Sequence, residues 1–292
     1  MPDQMPDHFR HVNICSIQHN IRDAFSGKSL PRLLPMQFPG THASAESLRC
    51  LDSAALVFVL LLALGVRLFA LASWQESLYS DLLSQDERVD HAWATALVSG
   101  DAALPPAPEF TPLYAWVMAF VYKIFSIDIH HIRILNIVFG VATCILIGMI
   151  AKALGGRWAG LLSGIIAALY KPFIFFSIAA MKTSLSMFLF AFSILLFIVS
   201  LDRPSSLRMV LLGAAMGLFA HVRANGIVLL WGMPLVFLLH RCRPEGIRKS
   251  AFPALALYAA GVLISVLPFA HRNMQISGSP AMAAAGGFNL YL

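Results

Sequence analysis

Runs of about 20 residues with few or no charges recur along this sequence, and they constrain its folding more than any other feature. The clearest are Ser53 to Ser73, Ile134 to Ala151, Thr183 to Leu201 and Ala251 to Ala270. As helices, such runs are long enough to cross roughly 30 Å of hydrocarbon. Charged residues make up 12% of the 292 residues, against about 25% in an ordinary soluble domain. The mean hydropathy of +0.73 points the same way. A soluble globular domain is excluded. The expected fold class is all-α, a polytopic transmembrane helix bundle of about 7–8 spans, covering residues 51–292.

Charge placement narrows the partners. A formal net charge of +6 raises nucleic acid as a partner in a soluble protein. Here the bases sit in short loops between apolar runs, as the positive-inside rule requires, so the bilayer is the expected partner and nucleic acid is not. Cys15, Cys50, Cys144 and Cys242 are far apart and have no metal-type spacing, so neither a disulfide framework nor a zinc site is expected. Residues 1–50 are polar, weakly patterned and without the apolar core of a signal peptide. They read as a disordered cytoplasmic tail.

From Gln75 to Phe110 the character changes. Seven acids (Glu76, Asp81, Asp86, Glu87, Asp90, Asp101 and Glu109) face one base, Arg88, whereas from Thr111 onward there are three acids and fourteen Lys or Arg. With five Lys or Arg in the tail, the acidic loop falls on the periplasmic or extracellular side after the first span. Within it, Ser84-Gln85-Asp86-Glu87 fits a capping box. It predicts a helix through Val89, Trp93 and Leu97 that stops at Gly100 and lies amphipathically on the membrane surface.

The next apolar run, Pro112 to Phe125, decides the topology. If it crosses, the bases from Arg241 to Lys249 fall outside. If it is too short or returns, Lys152/Arg157, Arg203/Arg208 and the Arg241 cluster all face the cytoplasm. The second count is preferred. It places Lys171 to Ser184, His221 to Asn225 and His271 to Leu292 on the face of the acidic loop.

Two readings of the acids stand side by side. Acids in a first helical turn are favoured by the macrodipole, and Glu87 has a capping role at hand. Alternatively, Asp86 acts as general base on an acceptor hydroxyl, with Glu87 and Asp90 orienting it or binding a divalent cation.

The order of motifs resembles the GT-C glycosyltransferases. An Asp86-Glu87 pair opens the first external loop, its helix ends in Ser99-Gly100-Asp101, and a new helix starts at Pro112-Leu113-Tyr114. Downstream come a glycine-basic turn at Gly155-Gly156-Arg157-Trp158, a small-residue helix from Gly213 through Gly217 to Arg223-Ala224-Asn225, and Pro268 to Asn273 followed by Gly278 and Gly286 to Tyr291. The nearest branch is the dolichyl-phosphate-mannose-protein mannosyltransferase and aminoarabinose transferase type, and the resemblance spans about residues 51 to 292. It implies transfer of a sugar from a polyprenyl-phosphate carrier to a glycan, lipid or protein acceptor. Asp86 is then the catalytic candidate and Glu87 its partner. A divalent cation (Mg2+ or Mn2+) on Asp86 and Glu87 would neutralise donor phosphate. The implied place is the cytoplasmic (inner) membrane of a bacterium, with the site facing outward.

The sequence departs from that pattern twice. Many relatives carry a second acid after the fourth helix, where this chain has Ala180-Met181-Lys182-Thr183-Ser184. Lys182 is either a point charge for donor phosphate or a residue snorkelling to the interface. Relatives also continue with further helices, so the chain is expected to correspond to the N-terminal half of such an enzyme. Asp90, Arg223 and Arg272 complete the substrate and phosphate-binding candidates, with headgroup anchoring the alternative for the two arginines. Arg67, inside the first span, is expected to snorkel. The competing class is a non-enzymatic membrane protein, either a transporter or an inactive remnant of the same fold. No convincing repeat of the kind transporters show links the two halves.

Overall fold

The computed structural model describes residues 45–78, 80, 82–100, 113–202, 204–223, 225–243, 246–247 and 251–277. The expectations for the tail before residue 45, Asp81, Asp101, Glu109, Pro112, Arg203, Ala224, Arg248, Lys249 and residues 278–292 lie outside them. Nine helices are described: α1 (Ala45–Gln75), α2 (Gln85–Ser99), α3 (Leu113–Ile124), α4 (Ile129–Leu169), α5 (Lys171–Ile178), α6 (Thr183–Asp202), α7 (Ser206–Val222), α8 (Gly226–Arg241) and α9 (Ala251–Ser277). The one departure from all-α among the described residues is a two-residue pair between α8 and α9, Cys242–Arg243 antiparallel to Gly246–Ile247.

Four helices are long and apolar enough to cross a membrane, at Ser53–Gln75, Ile129–Leu169, Thr183–Leu201 and Ala251–Gln275. They contain the four runs picked out above. Phe58, Leu61 and Phe69 of α1 point away from the protein. An outward apolar face of this kind is at home only in an apolar surrounding.

The 41 residues of α4 are two legs. Gly156 takes φ 83° and ψ −175°, a conformation L side chains rarely adopt, and the helix reverses there. After the reversal, a Cβ placed on Gly160 would lie 2.8 Å from the carbonyl oxygen of Gly148. Twelve residues apart in a straight helix, those positions would be about 18 Å apart. The glycine-basic turn is therefore a hairpin. Its second leg, prolonged by α5 after a break at Tyr170, runs back toward the level of α2.

α3 bears on the count of crossings. Its 12 residues rise about 18 Å, well short of a bilayer core. It lies along α2 instead, where His91 Nδ1 and the Tyr122 hydroxyl share a hydrogen bond of 2.8 Å. Ala94 of α2, Tyr114 and Met118 of α3, Ile132 of α4, Leu185 of α6 and Val222 of α7 form one buried cluster. The start of α4, the start of α6 and the end of α7 thus share an end of the bundle with α2. Lys152, Arg157 and Arg208 belong to the opposite ends of those helices.

The remaining layers are held by close approach. Gly213 of α7 faces the Tyr258 backbone, Gly261 of α9 faces the Val210 carbonyl, and any Cβ at either glycine would collide. In α1 the structure corrects the reading of Arg67. It does not snorkel but is fully buried. Its guanidinium donates to Ser177 Oγ at 3.0 Å and to the carbonyls of Ala63 at 3.0 Å and Ala168 at 3.4 Å, and it lies 3.3 Å from Cys144 Sγ. Those partners are acceptors otherwise facing an apolar interior, so Arg67 pins α1 to α4 and α5.

Candidate active site

The capping box at the start of α2 is present in both halves. Ser84 N–H donates to Glu87 Oε2 at 2.7 Å, and Glu87 N–H donates to Ser84 Oγ at 3.4 Å. At the other end of α2, Gly100 closes the helix at φ 73°. The second oxygen of Glu87 has a partner that the sequence did not suggest, since Oε1 accepts the Ala180 N–H at 2.7 Å, far along the chain. Glu87 is buried and both its oxygens are occupied.

Asp86 and Asp90 differ from Glu87. Asp86 is half-buried, and no hydrogen bond from a described residue reaches its carboxylate. Asp90, one turn on, is 2% exposed, and neither carboxylate oxygen has a hydrogen-bond partner among the described residues. Burial pushes its pKa up to about 6. The Asp86 charge adds to the rise, and the Lys182 ammonium opposes it.

Lys182 stands opposite these acids because the turn between α5 and α6 is gripped from several helices. From α4, Asn136 Nδ2 donates to the carbonyls of Ala179 at 2.7 Å and Met181 at 3.1 Å, and to the Tyr114 hydroxyl at 2.9 Å. From the end of α7, Arg223 Nη2 donates to Thr183 Oγ1 at 2.9 Å. Arg272 of α9 occupies another side of the region, 5.3 Å above the Trp116 ring. Phe269 links this stack to α7, meeting Trp116 edge-on at 6.0 Å and His221 at 4.4 Å.

The structure therefore brings Asp86, Glu87, Asp90 and Lys182 together and sets Arg223 beside them. Arg272 shares their end of the bundle, but no described contact joins it to the acids. An open cleft of about 300 Å³ runs beside Glu87, lined by Trp74, Leu82, Leu83, Ser84, Phe175, Ala179 and Met181.

The sequence missed Asn136, the Tyr114 hydroxyl and the Ala180 N–H as parts of this arrangement. Asn136 did leave a signal, as an amide inside an otherwise apolar run, where a polar side chain needs a partner. A backbone N–H leaves none.

A divalent cation on Asp86 and Glu87 would have to share Glu87 with the two N–H groups it already accepts. Among the described residues no three His, Cys, Asp or Glu side chains converge.

The sequence pattern of one family, dolichyl-phosphate-mannose-protein mannosyltransferase, matches residues 107–270. That range includes Asn136, Lys182 and Arg223, begins after the acids of α2 and ends before Arg272. No curated protein matches the chain. More than half of the sequence is nonetheless covered by a single family pattern on a helical membrane bundle, and the chain belongs to the dolichyl-phosphate-mannose-protein mannosyltransferase family, glycosyltransferases of the GT-C kind.

Proposed function

We propose that this membrane protein transfers a sugar from a polyprenyl-phosphate carrier to a hydroxyl of a glycan, lipid or protein acceptor at the outer face of the cytoplasmic membrane. The observation that carries the reading is the meeting of an acidic helix, α2, with the basic residue Lys182 at the start of α6, inside a bundle of this family.

In the reaction the acceptor oxygen attacks the anomeric carbon and the bond from that carbon to the phosphate oxygen breaks. The electron pair leaves with the polyprenyl phosphate, and the acceptor proton passes to Asp86. Asp86 suits this role because its neighbour Glu87 is occupied in holding the fold, while its own carboxylate is half-exposed. Lys182 and Arg223 would meet the charge developing on the leaving phosphate, and Arg272 would meet the carrier at the α9 end. The apolar lining of the cleft beside Glu87 suits an isoprenoid chain.

The test is transfer of label from polyprenyl-phosphate sugars in membranes holding the protein. The native chain should transfer the label. Asp86→Asn should abolish transfer while membrane insertion and thermal stability persist, and full activity in that variant would sink the assignment of the base.

A further inference from the structure

The turn 179–182 joins two helices in an apolar bundle, so its backbone groups need partners that the turn itself does not supply. Asn136 is fully buried and supplies two of them. Its amide has two N–H donors, and three acceptors lie within reach: the carbonyls of Ala179 and Met181 and the Tyr114 hydroxyl. One N–H is therefore shared. The N–H of the residue between those carbonyls, Ala180, is taken by Glu87. Three successive residues are thus fixed by side chains from two different helices, and the next residue is Lys182. A lysine carries its charge on a flexible four-carbon stem. Where that charge rests is decided by where the backbone beneath it is held.

We propose that Asn136 is a positioning residue for the transfer reaction, gripping the 179–181 turn so that Lys182 faces the acids of α2 and the phosphate of an incoming polyprenyl-phosphate donor. This rests on the function proposed above. Asn136 touches neither donor nor acceptor and acts through Lys182. Two of its three partner groups are main-chain carbonyls, which only accept, so the requirement is for a neutral amide donor, which an ionised Asp in its place cannot supply.

The test uses the full chain, purified, with undecaprenyl phosphate as the probe, so that the sugar and the acceptor need not be known. Lys182→Met should raise the Kd for undecaprenyl phosphate by about 10-fold, the size expected for one charge-assisted contact. Asn136→Ala should raise it by a similar factor, and the double variant should bind no more weakly than Lys182→Met alone. A purely structural role would lower the fraction of protein able to bind and leave Kd unchanged. An unchanged Kd in Asn136→Ala, or losses that multiply in the double variant, would overturn the positioning role. If Asn136→Ala does not fold, Asn136→Asp, of nearly the same size, replaces it in the same comparison. If the native chain does not bind undecaprenyl phosphate, the donor reading itself fails. The rate at which an acylating reagent modifies Lys182 then decides the positioning role separately: a rate altered by the Asn136 substitution supports it, and an identical rate rejects it.

Discussion

Glu87 of α2 accepts the backbone N–H of Ala180 at 2.7 Å, which ties the first helix of the acidic loop to the turn before α6. The same carboxylate closes the capping box through Ser84. Two adjacent acids that look alike in sequence are thereby told apart, Glu87 buried with both oxygens occupied and Asp86 half-buried.

From this, Glu87→Ala should be a stability variant. It loses one cap, about 1 kcal/mol, and leaves a buried N–H without a partner, about 1–3 kcal/mol more. Thermal unfolding in detergent should show that combined loss. Asp86→Asn should unfold at the native temperature and fail in transfer. A stable Glu87→Ala would remove the structural role.

Asp90 should make the protein less stable as pH rises. Its carboxyl has a pKa of about 6 when folded and about 3.8 when unfolded, so between those values folding takes up a proton. Stability from this group is therefore full below about pH 4, falls as pH rises toward 6, and stays low above it, a difference on the order of 3 kcal/mol. Asp90→Asn removes the penalty. It should melt higher than the native chain at pH 7.5 and alike at pH near 4, and equal melting at both would contradict the burial argument. If transfer requires Asp90 as the carboxylate, activity should climb through pH 6.

Arg67 and Gly140 form one unit. A Cβ at Gly140 would collide with Ser177 Oγ and come within 2.9 Å of Arg67 Nε. Gly140→Ala should therefore displace the hydroxyl that Arg67 holds. Arg67→Met should leave the Ala168 carbonyl unpaired, at roughly 1–3 kcal/mol. Because both changes break the same junction, the double variant should lose less than the sum of the singles in unfolding free energy. Strict additivity would show that the two positions act independently.

The α7 and α9 backbones meet at Gly213 and Gly261, so a leucine at either should destabilise the bundle by about 1–3 kcal/mol or more through overpacking. Gly232 in α8 is the internal comparison, since nothing lies within 4 Å of a Cβ placed there. Gly232→Ala should be neutral or stabilising by up to about 1 kcal/mol. Unfolding midpoints that rank the three variants otherwise would locate the seam elsewhere.

Much of this was legible in the residues because it depends on local pattern. Apolar runs long enough to cross a bilayer fixed the long helices, since hydrocarbon selects on length and charge alone. Ser84, Glu87 and Gly100 marked the two ends of α2, because caps act within one helical turn. Gly155-Gly156 marked the reversal inside α4. The short run after Pro112 gave no sign of what it would pack against, and in the fold α3 lies along α2.

What tertiary structure alone decided were the long-range partners. Nothing near Arg67 in sequence says that Ser177 and Ala168 will receive it, so outward snorkelling was the natural expectation. The second partner of Glu87 is an N–H at Ala180, and the turn before Lys182 is held by an amide at Asn136. Sequence by itself determined which segments are helices and which end of each is charged. The fold determined which polar groups meet, because in an apolar bundle every buried donor and acceptor must find its partner across the packing of separate helices.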